Sequence, residues 1–220
     1  MTIAKPLTVL AIAGSLRRDS FNRRLLHAAQ LLAPPLLEVQ VHDGLGSIPM
    51  FNEDGEAGVF VSGAVPELRD RIAAADALLL ATPEYNQSMP AVLKNLLDWM
   101  SRPGAQDVLV GKPVAVIGAT AGRWGTRLAQ AALRQVLAAT ESRVLPGPAL
   151  YLAGASGAFD ADGMPRDPDV AGALRGVLAA MEDMLRLTLP DRHGPYLAHG
   201  TRRAAEAPDR RDLVAGAVRP

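Results

Sequence analysis

The chain has no cysteine among its 220 residues. That excludes disulfides, thiolate metal sites and a cysteine nucleophile together, and it makes the cytoplasm the expected home. Aromatic residues are only 4% of a chain that is 49% hydrophobic, so the core must be built from small aliphatic side chains packed between helices and sheet. Charge of neither sign is in excess: 23 Lys and Arg face 23 Asp and Glu, a balance that offers nucleic acid or an anionic membrane no attractive field. No stretch approaches the roughly 18 uninterrupted apolar residues of a membrane span. The start carries Lys5, a short apolar run and Ala11-Ile12-Ala13, the outline of a signal peptide. Cleavage after Ala13 would remove the strand on which the next loop depends, so the segment is read as part of the fold. Both G-x-x-x-x-G-K-[ST] and G-x-G-x-x-G are missing. His27, His42, His193 and His199 form neither H-E-x-x-H nor close pairs with carboxylates, and no metal site is expected.

What is present is organised around residues 7–22, LTVLAIAGSLRRDSFN. A continuous apolar run with Val9 and Ile12, ending at Gly14, reads as a strand buried on both faces. From Phe21 the period becomes helical, with Leu25, Ala28 and Leu32 on the same stripe. The polar loop between them lies at a strand's carboxyl end and a helix's amino end, where free backbone N–H groups and the helix dipole favour an anion. Ser15, Ser20 and Asn22 add short hydrogen-bonding groups, and Arg17 and Arg18 add positive charge. A phosphate suits such a loop, although a plain connection with a serine helix cap explains Gly-Ser equally well.

Further along, Leu37–His42 alternates apolar and polar like a strand near a sheet edge, and residues 43–58 read as an irregular loop. A helix over about 65–75, with Leu68 and Ile72 inward, leads to a short buried strand at Ala77–Ala81. After the loop from Thr82 to Pro90, the helix over 91–101 is apolar round most of its circumference: Val92, Leu93, Leu96, Leu97, Trp99 and Met100. Such a helix needs cover on two sides, which points to a second subunit, with the loop at 43–63 or the tail as the alternative. Asp98 and Trp99 on this helix read as capping and packing groups, and Pro103 and Gly104 end it. A strand at 114–117 precedes the loop at 118–125 and a helix carrying Leu128, Ala132, Gln135 and Val136. Val144, Leu145 and residues 149–152 form a last strand broken by Pro146 and Pro148. Asp167-Pro168 opens a final helix with Val170, Leu174, Val177, Met181 and Leu185 in one stripe. Residues 1–190 are thus expected to form one domain. Residues 191–220 have no sustained period and are expected to be a disordered tail or an arm on a partner subunit. Five strands alternating with five helices imply a parallel sheet with helices on both faces. In the order 2-1-3-4-5 the loops after strands one, three and four are neighbours, so one ligand can touch all three.

Read together, GSLRRDSFN (14–22), PEYNQSMPAVLKNLLDW (83–99) and TAGRWGTRLAQAALRQVL (120–137) resemble the NADPH-dependent FMN reductase family, over about residues 7–188. That family includes quinone, azo and chromate reductases. The resemblance implies a flavodoxin-like three-layer α/β sandwich with a five-stranded parallel sheet. It implies an FMN phosphate held by Ser15, Arg17, Ser20 and Asn22, with the flavin ring along Pro83, Glu84, Tyr85 and Asn86. Thr120, Gly122 and Gly125 would close over the other side of the cofactor, with Arg123 and Trp124 among them. Thr120 stands where the family more often has Ser. Arg123 and Trp124 fill positions that are often small, which bears on the choice of acceptor. The implied activity takes hydride from NADPH or NADH through FMN to a quinone-like, azo or other small acceptor, in a homodimer or homotetramer. No catalytic side chain is required, because the flavin carries the chemistry. Glu84 is left with two possible roles, through its backbone at the flavin edge or in a pair with an Arg across a subunit contact. The alternatives are a flavodoxin-like FMN electron carrier, which would dock partners through an acidic surface that this neutral chain lacks, and a flavin-free domain using the loop for another phosphate.

Overall fold

The apolar runs become the strands of one parallel sheet, and the polar connections between them become its carboxyl-end loops. The computed structural model describes residues 5–59, 63–102 and 107–188. Its strands are β1 (Leu7–Ala13), β2 (Leu37–His42), β3 (Ala77–Ala81), β4 (Pro113–Ala119), β5 (Arg143–Val144) and β6 (Leu150–Leu152). Its helices are α1 (Phe21–Leu32), α2 (Glu56–Val59), α3 (Ala64–Ala74), α4 (Ala91–Met100), α5 (Arg127–Ala139) and α6 (Pro168–Thr188). The order is β2-β1-β3-β4-β5 with every pair parallel, as the alternation of strands and helices requires. Since β6 also pairs with β4, Leu150 opposite Ile117, β5 and β6 are two pieces of one edge strand parted at Pro146-Gly147-Pro148. The central strands β3 and β4 are buried along their whole length, whereas β2 at the other edge alternates buried and exposed.

Leu10, Ile12, Leu78, Leu80, Val114 and Val116 join Leu68, Leu93, Leu96, Trp99 and Leu133 in one buried cluster, which puts α3, α4 and α5 on one face. Strand residues between these point the other way. There α1 and α6 pack on the sheet and on each other, burying Leu25, Leu26, Ala28 and Ala29 of the first and Leu174, Val177, Leu178 and Met181 of the second. Asp167 opens α6 as its sequence suggests, accepting from Asp169 N–H at 2.9 Å.

Two expectations are overturned here, both around α4. The apolar helix α4 needs no partner subunit to bury it, because the segment after β2 covers its outer side. Leu93, Leu96, Leu97, Trp99 and Met100 are each at most 1% exposed. The Pro49 carbonyl accepts from Asn95 Nδ2 and from Trp99 Nε1, both at 2.8 Å. Phe51 N–H donates to Asn95 Oδ1 at 2.7 Å, and the Phe51 ring meets Trp99 edge-on at 4.9 Å. Rather than an irregular loop, that segment holds two single 3-10 turns and α2, tied down where Arg102 pairs with Glu53 and Glu56. The inward face of α5 is Ala129, Gln130, Leu133 and Leu137, with Val136 packed against the same core. Leu128 is half exposed. Gln130 looks outward in a hydrophobic pattern, yet it is buried: its Nε2 donates to Thr126 Oγ1 at 3.0 Å and to the Leu150 carbonyl at 2.8 Å, while its Oε1 has no partner.

The helix stop at Pro103 and Gly104, the tail from 191 onward, and His193 and His199 lie outside the described residues. Among the described residues, no group of three or more acidic or histidine side chains could hold a metal, and no helix is long and apolar enough to cross a membrane.

Candidate functional site

The three loops meet at the carboxyl ends of β1, β3 and β4. Gly14 follows β1 and donates its N–H to the Ala81 carbonyl at 2.8 Å, tying the first loop to the end of β3. Ser20 is the N-cap of α1: its Oγ accepts from Asn22 N–H at 3.2 Å and Arg23 N–H at 3.4 Å, which leaves the hydroxyl proton free to donate outward. Arg17 stretches its guanidinium over the Phe21 ring, 5.9 Å from the centroid. Asn22 does more than line the cleft. Its carboxamide donates to the Ala119 carbonyl and accepts from the Ala119 N–H, each at 2.9 Å, so α1 is strapped to the end of β4 and one amide hydrogen remains for a ligand.

After β3, Thr82 N–H bonds to the Ile117 carbonyl at 2.9 Å. Tyr85 and Ser88 exchange both backbone hydrogen bonds at 3.0 Å across Asn86 and Gln87, whose φ of 49° and 63° are both positive. That is the pattern of a tight turn with two left-handed central residues. Glu84 reaches across to the next helix. Its Oε2 accepts the N–H groups of Leu128 and Ala129, at 2.9 and 3.0 Å, and so caps α5.

The loop after β4 turns back on itself, with Thr120 Oγ1 accepting from Gly122 N–H at 3.2 Å. Gly125 has φ +72°, and a Cβ there would lie 3.1 Å from Tyr151 Cβ and from the Tyr151 carbonyl, so a side chain is disfavoured twice over. Gly122 meets no such limit. Arg123 stacks on Trp124 at 4.7 Å, and Trp124 is 72% exposed.

Between the loops lies a cleft of about 140 Å³. Ser15, Arg17, Ser20, Asn22, Pro83, Glu84, Tyr85 and Thr120 line it. Asn86, Gly122, Arg123, Trp124 and Gly125 belong to the same loops but not to its lining. Phe21, Ala119 and Ala121 line it as well, and sequence reasoning passed them over. Phe21 could have been found as the first helical residue after the cap, whereas Ala119 and Ala121 carry no letter that marks a site. With Arg17 as cation, hydroxyls from Ser15 and Ser20, and the amino end of α1, the donor set suits a phosphate.

A parallel sheet of this order, with an anion-ready cleft at the carboxyl ends of β1, β3 and β4, defines a flavodoxin-like nucleotide-binding protein. Residues 7–157 match the NADPH-dependent FMN reductase family, and the chain belongs to it. This is a family of oxidoreductases that bind FMN and use NAD(P)H. The chain is 44% identical over 180 residues to an NAD(P)H-dependent FMN reductase of Pseudomonas aeruginosa, covering 82% of this chain and 96% of that one. It is 42% identical over 161 residues to a 2-hydroxy-1,4-benzoquinone reductase of a Burkholderia species, covering 71% and 84%. Among solved structures, FerB, a flavoenzyme NAD(P)H:(acceptor) oxidoreductase of Paracoccus denitrificans, matches with a TM-score of 0.76 at 38% identity, over 82% of this chain and 98% of that one.

Proposed function

We infer that this chain is an FMN-dependent NAD(P)H oxidoreductase that delivers hydride from the nicotinamide donor to a quinone-like or other small acceptor. The observation that carries the reading is the convergence of Ser15, Arg17 and Ser20 on one cleft at the amino end of α1. Bound FMN supplies the hydride chemistry, so no side chain has to form a covalent bond. The chain's own part is to hold and to orient. Ser20 and Ser15 offer hydroxyl protons to a phosphate, Arg17 offsets its charge, and Asn22 fixes the spacing between α1 and the Thr120 loop. At about 140 Å³ the recess is smaller than the roughly 300 Å³ at which closed ligand pockets begin. It therefore suits the phosphate end of the cofactor and leaves the flat ring to the rim, at Tyr85, Asn86 and the loop of Trp124.

Leu16, Tyr85, Trp124 and Leu128 are all about half exposed or more on the loops and first turn at this end of the sheet. That supports a second subunit near the cleft, in the homodimer or homotetramer that the resemblance implies. We place the working protein in the cytoplasm, where reduced nicotinamide nucleotides are at hand. Purified protein is expected to be yellow with FMN and to oxidise NADPH steadily once a benzoquinone is added. A yellow protein without turnover would make it an electron carrier, and a colourless one that takes up no FMN would remove the flavin reading altogether.

A further inference from the structure

The first turn of α5 has no cap of its own. Thr126 stands at the N-cap position with φ −117° and ψ 38°, and its side chain bonds to none of the turn's N–H groups. Its Oγ1 is taken up by Gln130 Nε2 at 3.0 Å instead. No acid lies in that turn, and its first residue, Arg127, sets a positive charge at the positive end of the helix dipole. A helix leaves its first N–H groups without internal partners. Two of these, on Leu128 and Ala129, are satisfied by one oxygen of Glu84, which lies 44 and 45 residues earlier in the chain and on the opposite wall of the cleft. The Glu84 loop is well placed to act as an anchor. Thr82 is bonded to β4 just before it, and the Tyr85–Ser88 turn closes just after it. The two loops also press together at Gly118, where a Cβ would collide with both the Thr82 carbonyl and Thr126.

We propose that Glu84 is a positioning residue of the cofactor cleft. Its carboxylate spans the loops after β3 and β4 and holds the Thr120 wall at a set distance from the wall of Pro83 and Tyr85. This rests on the cleft being the FMN site, and it gives the Glu84 side chain a structural target in place of the ligand. What the position requires is an acceptor oxygen at the right reach, more than a negative charge. Gln keeps such an oxygen, and Ala removes it.

Apoproteins of the wild type, Glu84→Gln and Glu84→Ala are titrated with FMN by flavin fluorescence. Amide hydrogen exchange at Leu128 and Ala129 is read in the same apoproteins without ligand. Glu84→Ala is expected to weaken FMN binding by about tenfold, the scale of losing bonds to a charged acceptor, and to speed exchange at both amides. Glu84→Gln is expected to stay within about threefold of wild type, the size of a charge–dipole contribution, with both amides still protected. Glu84→Ala that binds FMN like the wild type overturns the proposal. So does Glu84→Gln that binds as weakly as Glu84→Ala while its amides stay protected, because the charge would then be acting on the ligand itself. Should Glu84→Ala fail to fold, Glu84→Asp replaces it, one methylene short of the two N–H groups, with the same ordering expected. A wild type that takes up no FMN removes the cleft reading and this role with it, whereas normal uptake with unchanged variants removes this role alone.

Discussion

At the residue scale, position separates groups of identical chemistry. Arg17 and Arg18 are adjacent guanidiniums, yet only Arg17 lines the cleft. Arg17→Ala is expected to weaken FMN binding by about 1.5–3 kcal/mol, roughly ten- to a hundredfold, the worth of one charge-assisted bond. Arg18→Ala should fall well short of that. Titration with riboflavin provides the control, since without a phosphate the Arg17 effect should vanish; equal losses at both positions would take the contact away from Arg17. His42, at the end of β2, makes a second residue-scale case. Arg71 Nη1 lies 2.6 Å from its Nδ1 and can only donate, so Nδ1 accepts and the ring proton sits on Nε2, buried without a partner. Burial first and Arg71 second hold the imidazole below the usual histidine range near 6.5, with Asp43 opposing. The unfolded chain therefore binds the proton at a higher pH than the folded one. This contribution to stability is complete above about pH 6.5 and is lost as the pH falls below it. Urea melts from about pH 7.5 down to about pH 5 should show a shallower decline in His42→Gln than in the wild type.

At the scale of elements, most of the sheet was legible and most of the bracing around the cleft was not, for one physical reason. Buried parallel strands declare themselves as unbroken apolar runs, so β1, β3 and β4 and the loops that succeed them could be placed from letters alone. Contacts that end on main-chain atoms leave no such mark. Asn22 acts on the backbone of Ala119, 97 residues away, and Glu84 on the backbone of Leu128 and Ala129. The cover of α4 is hidden in the same way, resting on the Pro49 carbonyl and the Phe51 N–H in a stretch rich in Gly, Asp and Asn. Gln130 on α5 is another such case, polar in any pattern and yet buried with its Nε2 on the Leu150 carbonyl. The bracing of α4 can be tested by substitution. Asn95→Ala leaves the Phe51 N–H unpaired while the Pro49 carbonyl keeps its bond from Trp99, so it should cost about 1–3 kcal/mol of stability. Trp99→Ala, which empties a fully buried indole site, should cost about 3–5 kcal/mol. Urea melts at two protein concentrations check both. A loss that shrinks as protein concentration rises would return the cover of α4 to a partner subunit.

At the scale of the whole molecule, every strand of the sheet and every residue lining the cleft precedes the end of α6. That helix cannot be shortened much, because Leu174, Val177, Leu178, Met181 and Leu185 bury its inner stripe almost to its end. The residues beyond Pro190 carry no apolar period in sequence, so a chain ending at Pro190 is expected to melt within a few degrees of the full chain and to bind FMN equally well. Assembly is the separate question, since α4 no longer argues for it. The apolar groups that do are Leu16, Tyr85, Trp124 and Leu128, which stand in water around the cleft, where a second copy could cover them in a two-fold contact. Light scattering at micromolar concentration should then report about two or four times the 23.2 kDa of one chain. The double variant Trp124→Asp with Leu128→Asp should lower that mass and leave the melting temperature of the subunit nearly unchanged. A monomeric wild type with FMN bound would end the case for a dimer. If the shortened chain alone loses mass while keeping its flavin, the contact belongs to the residues after Pro190 and not to the rim of the cleft.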